Sequence, residues 1–309
     1  MTLARLIIHG GAGRAMRDPS RRELVREGLR EVVAAVFPAL QAGARAADIV
    51  VEAATRLEDI DTFNAGTGSV LQVDGQVRLS ASLMNGETQS FSAVINAQKV
   101  RHPIELAKVL QTKRDRVLAT RGAEELARML GVPWYDPVTP RRLREWVEEV
   151  EARGDSEMAN VVAASNSGTF VAVALDTAGR LAVATSTGGR GFERVDRVSD
   201  TATPAGNYAA PEAAISATGI GEHIMDECLA ARIVVRVTDG MTLHAALERS
   251  IGECARRARV LGVIGIDHTG TIGWAKTSDM LLAAYHDGEQ IVDTVDLEPG
   301  TMAKTFAAR

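Results

Sequence analysis

Short runs of strand-like apolar residues and longer stripes of period about 3.6 come in separate blocks along this chain. The first run, residues 3–8, predicts a strand that ends in a special loop at His9-Gly10-Gly11-Ala12-Gly13, where glycines permit backbone angles closed to other residues. Behind the start signals Asp18-Pro19-Ser20, the stripe Leu24, Leu29, Val32, Val33, Val36 and Leu40 predicts an amphipathic helix ending near Gly43. Ile49, Val50, Ala53, Ala54 and Leu57 predict a second helix over residues 46–57, broken by Phe63-Asn64-Ala65-Gly66-Thr67-Gly68. Asp74-Gly75 between residues 69–73 and 76–83 reads as a hairpin, and residues 91–97 as a further strand.

Helices are predicted over residues 103–111, 119–130 and 140–153, the last strongly charged. Residues 154–168 are small and polar without a period, which reads as a linker. A central hairpin follows, residues 170–175 and 181–185 about the turn Asp176-Thr177-Ala178-Gly179. The remainder predicts a strand at 213–217, helices at 223–237 and 242–261, and strands near 263–266, 271–275, 281–285 and 290–295. Blocks without regular βα alternation favour an α+β fold of antiparallel sheets covered by helices.

Composition narrows the class. The 309 residues are 46% hydrophobic and 24% charged, which is the make-up of a globular chain with ample core. A net charge of -5 with interspersed signs and few aromatics argues against nucleic acid as a partner. No apolar run reaches the roughly 18 residues of a membrane span, and residues 1–9 lack a signal-peptide layout, so no membrane partner and a cytoplasmic location are expected. Cys228 and Cys254 suggest core thiols and neither a disulfide framework nor a zinc site. The six histidines show no metal-ligand spacing, and a Gly-x-Ser-x-Gly elbow, a His-Glu-x-x-His motif and a Walker loop are all missing.

The central hairpin carries Thr169, Thr185, Ser186 and Thr187 to one end. A threonine can act without histidine if the chain is cut just before it, because the freed α-amine takes the hydroxyl proton. Gly168 upstream tolerates the strained peptide such a cut needs. Gly-Thr at a strand start carries no chemistry by itself; its company does.

With His9-Gly10-Gly11-Ala12-Gly13, Leu57-Glu58-Asp59, Phe63 to Val70, Gly168-Thr169, Ala184 to Gly189, Arg197-Val198-Ser199-Asp200 and Ser216 to Glu222 in order, the chain resembles the isoaspartyl peptidase and plant-type asparaginase group of N-terminal-nucleophile hydrolases. The resemblance implies a four-layer αββα sandwich forming one domain, made as a precursor that cuts itself between Gly168 and Thr169 into an α chain (1–168) and a β chain (169–309). Two such units would pair, a homodimer of precursors becoming (αβ)2. By matching position, Thr169 would be nucleophile and amine base, and Thr187 would tune it. Thr218 and the Gly219 N–H would form the oxyanion site, and Asn64 would lie beside the nucleophile. Arg197 and Asp200, with Gly221, would bind the α-carboxylate and α-amine of an aspartyl group, and His9, Gly10 and Gly11 would belong to the maturation loop. No cofactor is implied beyond a structural sodium on backbone carbonyls near Ile60, Phe63 and Ala65.

The expected substrates are therefore small molecules, β-aspartyl dipeptides and L-asparagine. Arg190, Glu193 and Arg194, in the variable stretch after Thr187-Gly188-Gly189, read as solvated surface charge, with contact to the leaving group as the alternative. The chain departs from the family pattern where Asp196 and Ser199 replace glycines and where Ser80 and Asn85 replace acids; if those glycines hold positive φ, the loop presenting Arg197 and Asp200 shifts. Two rivals stand beside this reading: a glycosylasparaginase-like amidohydrolase, and a homologue that never matures and acts as a binding protein.

Overall fold

In the computed structural model, which describes residues 3–16, 18–153 and 169–307, the block pattern becomes two largely antiparallel sheets and a set of α-helices. One sheet has eight strands, in spatial order β12 (Ile291–Asp293), β11 (Met280–His286), β1 (Arg5–Gly13), β5 (Phe170–Leu175), β6 (Leu181–Thr187), β2 (Leu79–Asn85), β3 (Ser90–Ala97) and β4 (Val117–Ala119). The other has five, in order β13 (Met302–Phe306), β10 (Ile272–Lys276), β9 (Leu261–Asp267), β8 (Ala213–Gly219) and β7 (Asn207–Ala209).

The period of two within the strands decides what each face meets. From β5, Phe170, Ala172 and Ala174 join a core with α1 (Pro19–Gln41), α2 (Ala46–Glu58) and α3 (Pro103–Leu110), which contribute Leu29, Val33, Ile49, Leu57 and Leu106. The alternate residues Val171, Val173 and Leu175 pack instead with Ile264, Ile266 and Trp274 of the five-stranded sheet. The far side of that sheet, Ile215, Ala217 and Val263, is covered by α7 (Leu229–Thr238) and α8 (Leu243–Arg256) through Ile233, Val234, Leu247 and Ile251. Strand β5 is thus buried on both faces and hydrogen-bonded on both edges, to β1 and β6.

The helix signals act as the sequence predicts. Asp18 caps α1 by accepting from the Ser20 N–H at 3.0 Å, with Pro19 next to it. Among the described residues no helix is long and apolar enough to cross a membrane.

Several expectations are corrected. The glycine motif does not end β1; the strand runs through it to Gly13, with a bulge between His9 and Ala12. Asp74-Gly75 forms its turn, with Gly75 at φ +73°, but the flanks are not paired strands, because residues 71 and 73 bond to residues 192 and 193 instead. The helix expected over 223–237 is two, α6 (Gly221–Glu227) and α7, broken where Cys228 turns left-handed. Cys228 is exposed and only Cys254 is a core thiol. The linker residues 154–168 lie outside the described residues.

Candidate active site

Antiparallel pairing gathers the candidate residues at one end of the sheets. The start of β5 lies beside the end of β6 and the end of β1, and β11 begins opposite Gly13. From the second sheet, β8 brings its last residue, Gly219, opposite Leu261. These ends surround a cavity of about 340 Å³ whose wall includes Thr169, Thr187, Gly189, Arg197, Asp200, Gly219 and Gly221.

Thr169 stands immediately before β5, half-buried, and its Oγ1 donates to Oγ1 of Thr187 at 3.3 Å. Thr187 Oγ1 also accepts from the Gly189 N–H at 3.1 Å, so its hydroxyl is held between the two. Gly168 lies outside the described residues. Thr218 is fully buried and its hydroxyl has no hydrogen-bond partner among the described residues, which leaves it free to bond to an incoming group. Gly219 holds φ +132°, and a Cβ there would lie 2.7 Å from Leu261 Cα, so only glycine fits.

Asn64 acts on the loop beneath the hydroxyls and does not line the cavity. Its Nδ2 donates to the Gly189 carbonyl at 2.6 Å, its Oδ1 accepts from the Val70 N–H at 2.9 Å, and its own carbonyl accepts from the Gly188 N–H at 2.9 Å. His9 is fully buried, its Nδ1 accepting from the Gly11 N–H at 3.3 Å; burial drives its pKa down to about 3 against a weaker pull from the Thr169 backbone, so the ring is neutral. Gly10 meets Phe63, whose ring would lie 2.6 Å from any Cβ there, which ties the motif on β1 to the 63–68 loop.

Opposite the hydroxyls stands a charged pair. Arg197 donates Nε and Nη2 to Glu222 at 2.9 and 2.8 Å, and Nη1 to Glu193 at 3.0 Å. These bonds engage three of a guanidinium's five donors. Asp200, in a short 3-10 turn (Asp200–Ala202), is buried with Oδ2 unpartnered, and burial pushes its pKa up to about 7 although Arg197 opposes the shift. Gly221 fits between them: a Cβ there would come within 2.8 Å of both Arg197 Nη2 and Asp200 Oδ1. A half-buried cation flanked by a lone carboxylate oxygen suits a zwitterion.

The replaced glycines have separate outcomes. Asp196 keeps a left-handed conformation itself, φ +61°, with its N–H bonded to Gln72 Oε1 at 3.2 Å. Ser199 is extended, φ -95° and ψ 176°, a conformation any residue adopts, and its hydroxyl accepts from the Thr201 N–H. Ser80 accepts from the Asn96 N–H, and Asn85 accepts from the Glu87 and Thr88 N–H groups in the β2–β3 turn; neither lines the cavity.

Glu193 is a correction: it is buried and holds Arg197, whereas Arg190 and Arg194 are exposed, Arg190 on the wall of the cavity. Sequence reasoning also gave no role to Glu222 or to the wall residues Arg14, Thr277, Ser278 and Asp279. The one available signal was Glu222 directly following Gly221 in a motif already noted.

Comparison with known proteins sets this geometry in context. A family model described as asparaginase matches residues 2–296. The chain is 52% identical to an isoaspartyl peptidase/L-asparaginase of Nostoc sp., covering 98% of each chain. It is 49% identical to one of Synechocystis sp., over 96% of this chain and 92% of that one. A plant-type L-asparaginase of Thermococcus kodakarensis is 38% identical, over 93% and 97%.

Proposed function

The chain belongs to the asparaginase family, and from that membership we propose that it is a self-maturing threonine hydrolase that cleaves β-aspartyl dipeptides and L-asparagine at the side-chain amide. The observation that carries this reading is Thr169 Oγ1 at 3.3 Å from Thr187, in one cavity with Arg197, Asp200 and Gly219.

In the proposed reaction the chain is first cut between Gly168 and Thr169, freeing the Thr169 α-amine. That amine takes the hydroxyl proton as Oγ1 attacks the side-chain carbonyl of the bound aspartyl group. The tetrahedral oxyanion rests on the Thr218 hydroxyl and the Gly219 N–H. The C–N bond breaks, the leaving amine takes the proton, and water then attacks the acyl-threonine to release aspartate. Arg197 receives the α-carboxylate and Asp200 the α-ammonium, with Gly221 keeping room between them. Thr187 orients the nucleophile, Asn64 holds the 188–189 segment, and His9, Gly10 and Gly11 support the cut site.

The fold proposed with this activity is a single four-layer αββα domain, which the three apolar clusters support, pairing as a homodimer. A structural sodium is proposed on the carbonyls of Ile60, Phe63 and Ala65. That loop curls tightly, with Gly66 and Gly68 left-handed and the Glu58 carbonyl taking the Thr67 N–H, and backbone oxygens are the donor set a hard cation accepts.

The test is denaturing electrophoresis after incubation, with N-terminal sequencing of the smaller band and assays on β-aspartyl dipeptides, L-asparagine and a glycosylated asparagine. Two bands, the second beginning at Thr169, with turnover of the first two substrates are expected. Turnover of the glycosylated compound alone would replace the substrate assignment, and a single intact band without turnover would overturn the enzyme reading.

A further inference from the structure

The segment presenting Arg197 is braced from outside the cavity by a second guanidinium, a buried one, that the reaction does not use. Arg78, one residue before β2, is only 8% exposed and directs its donors three ways. Nη1 donates to Gln72 Oε1 at 2.9 Å and to Asp74 Oδ1 at 3.0 Å, and Nη2 donates to Asp74 Oδ2 at 2.9 Å. Nε pairs with Asp196 Oδ1 at 3.3 Å. Gln72 joins the two sides: its Oε1 also accepts from the Asp196 N–H, and its Nε2 donates to Glu193 Oε1 at 3.4 Å. Glu193 Oε2 in turn accepts from Arg197 Nη1 at 3.0 Å.

Asp196 is where the chain departs from its family's glycine. A left-handed aspartate persists where its surroundings over-determine it, and here both its carboxylate and its N–H are gripped, by Arg78 and Gln72. The Asp74-Gly75 turn, which does not open a hairpin, supplies the bidentate carboxylate that fixes Arg78 itself. Arg78, Gln72 and Glu193 are buried, whereas the two carboxylates that hold Arg78, Asp74 and Asp196, stand at the surface.

We infer that Arg78, with Asp74, Gln72 and Asp196, is a positioning assembly that fixes the Arg197 segment and thereby sets affinity for the α-carboxylate of the aspartyl group. This inference rests on the proposed grip of Arg197 on that carboxylate. Arg78 touches no reacting atom, so its effect belongs in KM and in product affinity, with kcat nearly unchanged.

The experiment compares wild type with Arg78→Gln, Arg78→Lys, Asp196→Asn and the Arg78→Gln/Asp196→Asn pair, with rates expressed per self-cleaved molecule. KM and kcat are measured on a β-aspartyl dipeptide, and L-aspartate binding by calorimetry. Arg78→Gln is expected to raise KM and the aspartate Kd about tenfold or more, with kcat within about threefold. Arg78→Lys and Asp196→Asn should each show a smaller rise. The double variant should be no worse than Arg78→Gln alone, since the Asp196 carboxylate acts through its pairing with Arg78. If Arg78→Gln does not fold, the partly exposed Asp196→Asn carries the comparison.

Unchanged KM and aspartate Kd in the folded variants would overturn the inference, as would a loss confined to kcat or to thermal stability, which is the mark of a merely structural residue. If wild type binds aspartate but turns nothing over, weakened binding in the variants upholds the brace while the hydrolase reading falls. A wild type that neither binds nor turns over would sink both.

Discussion

At the scale of single residues, two buried groups with incomplete bonding mark where the proposed site would give up stability for chemistry. The Thr218 hydroxyl is buried and has no partner among the described residues. Replacing an unpaired buried hydroxyl by a methyl of similar shape removes a desolvation penalty and breaks no bond. Thr218→Val is therefore expected to keep or raise the melting temperature while lowering kcat about 100-fold to 1000-fold, the usual loss for one oxyanion donor. Thermal denaturation and single-turnover rates check the two halves separately, and a cold-sensitive or unfolded variant would contradict the first. Asp200 makes the same trade through its proton. Burial raises its pKa from 3.8 to about 7, so between those values the folded chain holds a proton the unfolded chain has lost. Stability from this group consequently falls as pH rises through that window and stays reduced above it. Binding of an ammonium needs the opposite, an ionised Asp200. The value of kcat/KM should rise as pH passes through about 7, while Asp200→Asn should melt higher than wild type at about pH 8 and bind substrate poorly. A melting temperature for Asp200→Asn at or below wild type would remove this account.

At the scale of elements, local chemistry explains what was readable and what was not. Helices α2 and α5 (Pro140–Arg153) end within a residue of their predicted limits because apolar stripes and breakers mark them. The hydroxyl-bearing ends of β5 and β6 were legible for the same reason, a turn of known type between two apolar runs. Long-range pairing was not. Nothing near Asp74 says that residues 71 and 73 bond to residues 192 and 193 in place of closing a hairpin, and nothing near Glu193 says that it is buried against Arg197. The break between α6 and α7 falls on Cys228, a residue with no breaker signature. Lys276 is the clearest of these long-range cases. At the end of β10, buried, its Nζ lies 2.8 to 3.0 Å from the carbonyls of Ser278, Asp279, Glu298 and Gly300, which share its three N–H donors. It pins the 277–279 turn, which forms one wall of the cavity, to the 298–300 segment. Lys276→Met would leave those carbonyls unpaired and is expected to cost about 2–5 kcal/mol of stability. Urea unfolding measures this, and a loss under about 1 kcal/mol would mean that water replaces the ammonium without penalty.

For the whole molecule, the order of strands decides what a cut before Thr169 can do. The eight-stranded sheet interleaves the two proposed fragments. Strands β1 to β4 come from residues 1–168, whereas β5, β6, β11 and β12 come from residues 169–309. Within the sheet β1 lies between β11 and β5, and β6 lies between β5 and β2, so three of its seven strand junctions join one fragment to the other. Helices α1 and α2 of the first fragment also share one apolar core with β5, β6 and β11 of the second. Separation would therefore expose the faces of a common core and a row of unpaired backbone groups, a penalty far beyond the one peptide bond removed. The matured chains should co-elute in size exclusion and melt in one transition, parting only in denaturant. The proposed cut would free the Thr169 amine at the edge of the cavity while β5, paired with β6 from Phe170 and with β1 from Val171, holds the residue in place. Fragments that separate at low concentration without denaturant would show that this interleaving does not hold the nucleophile.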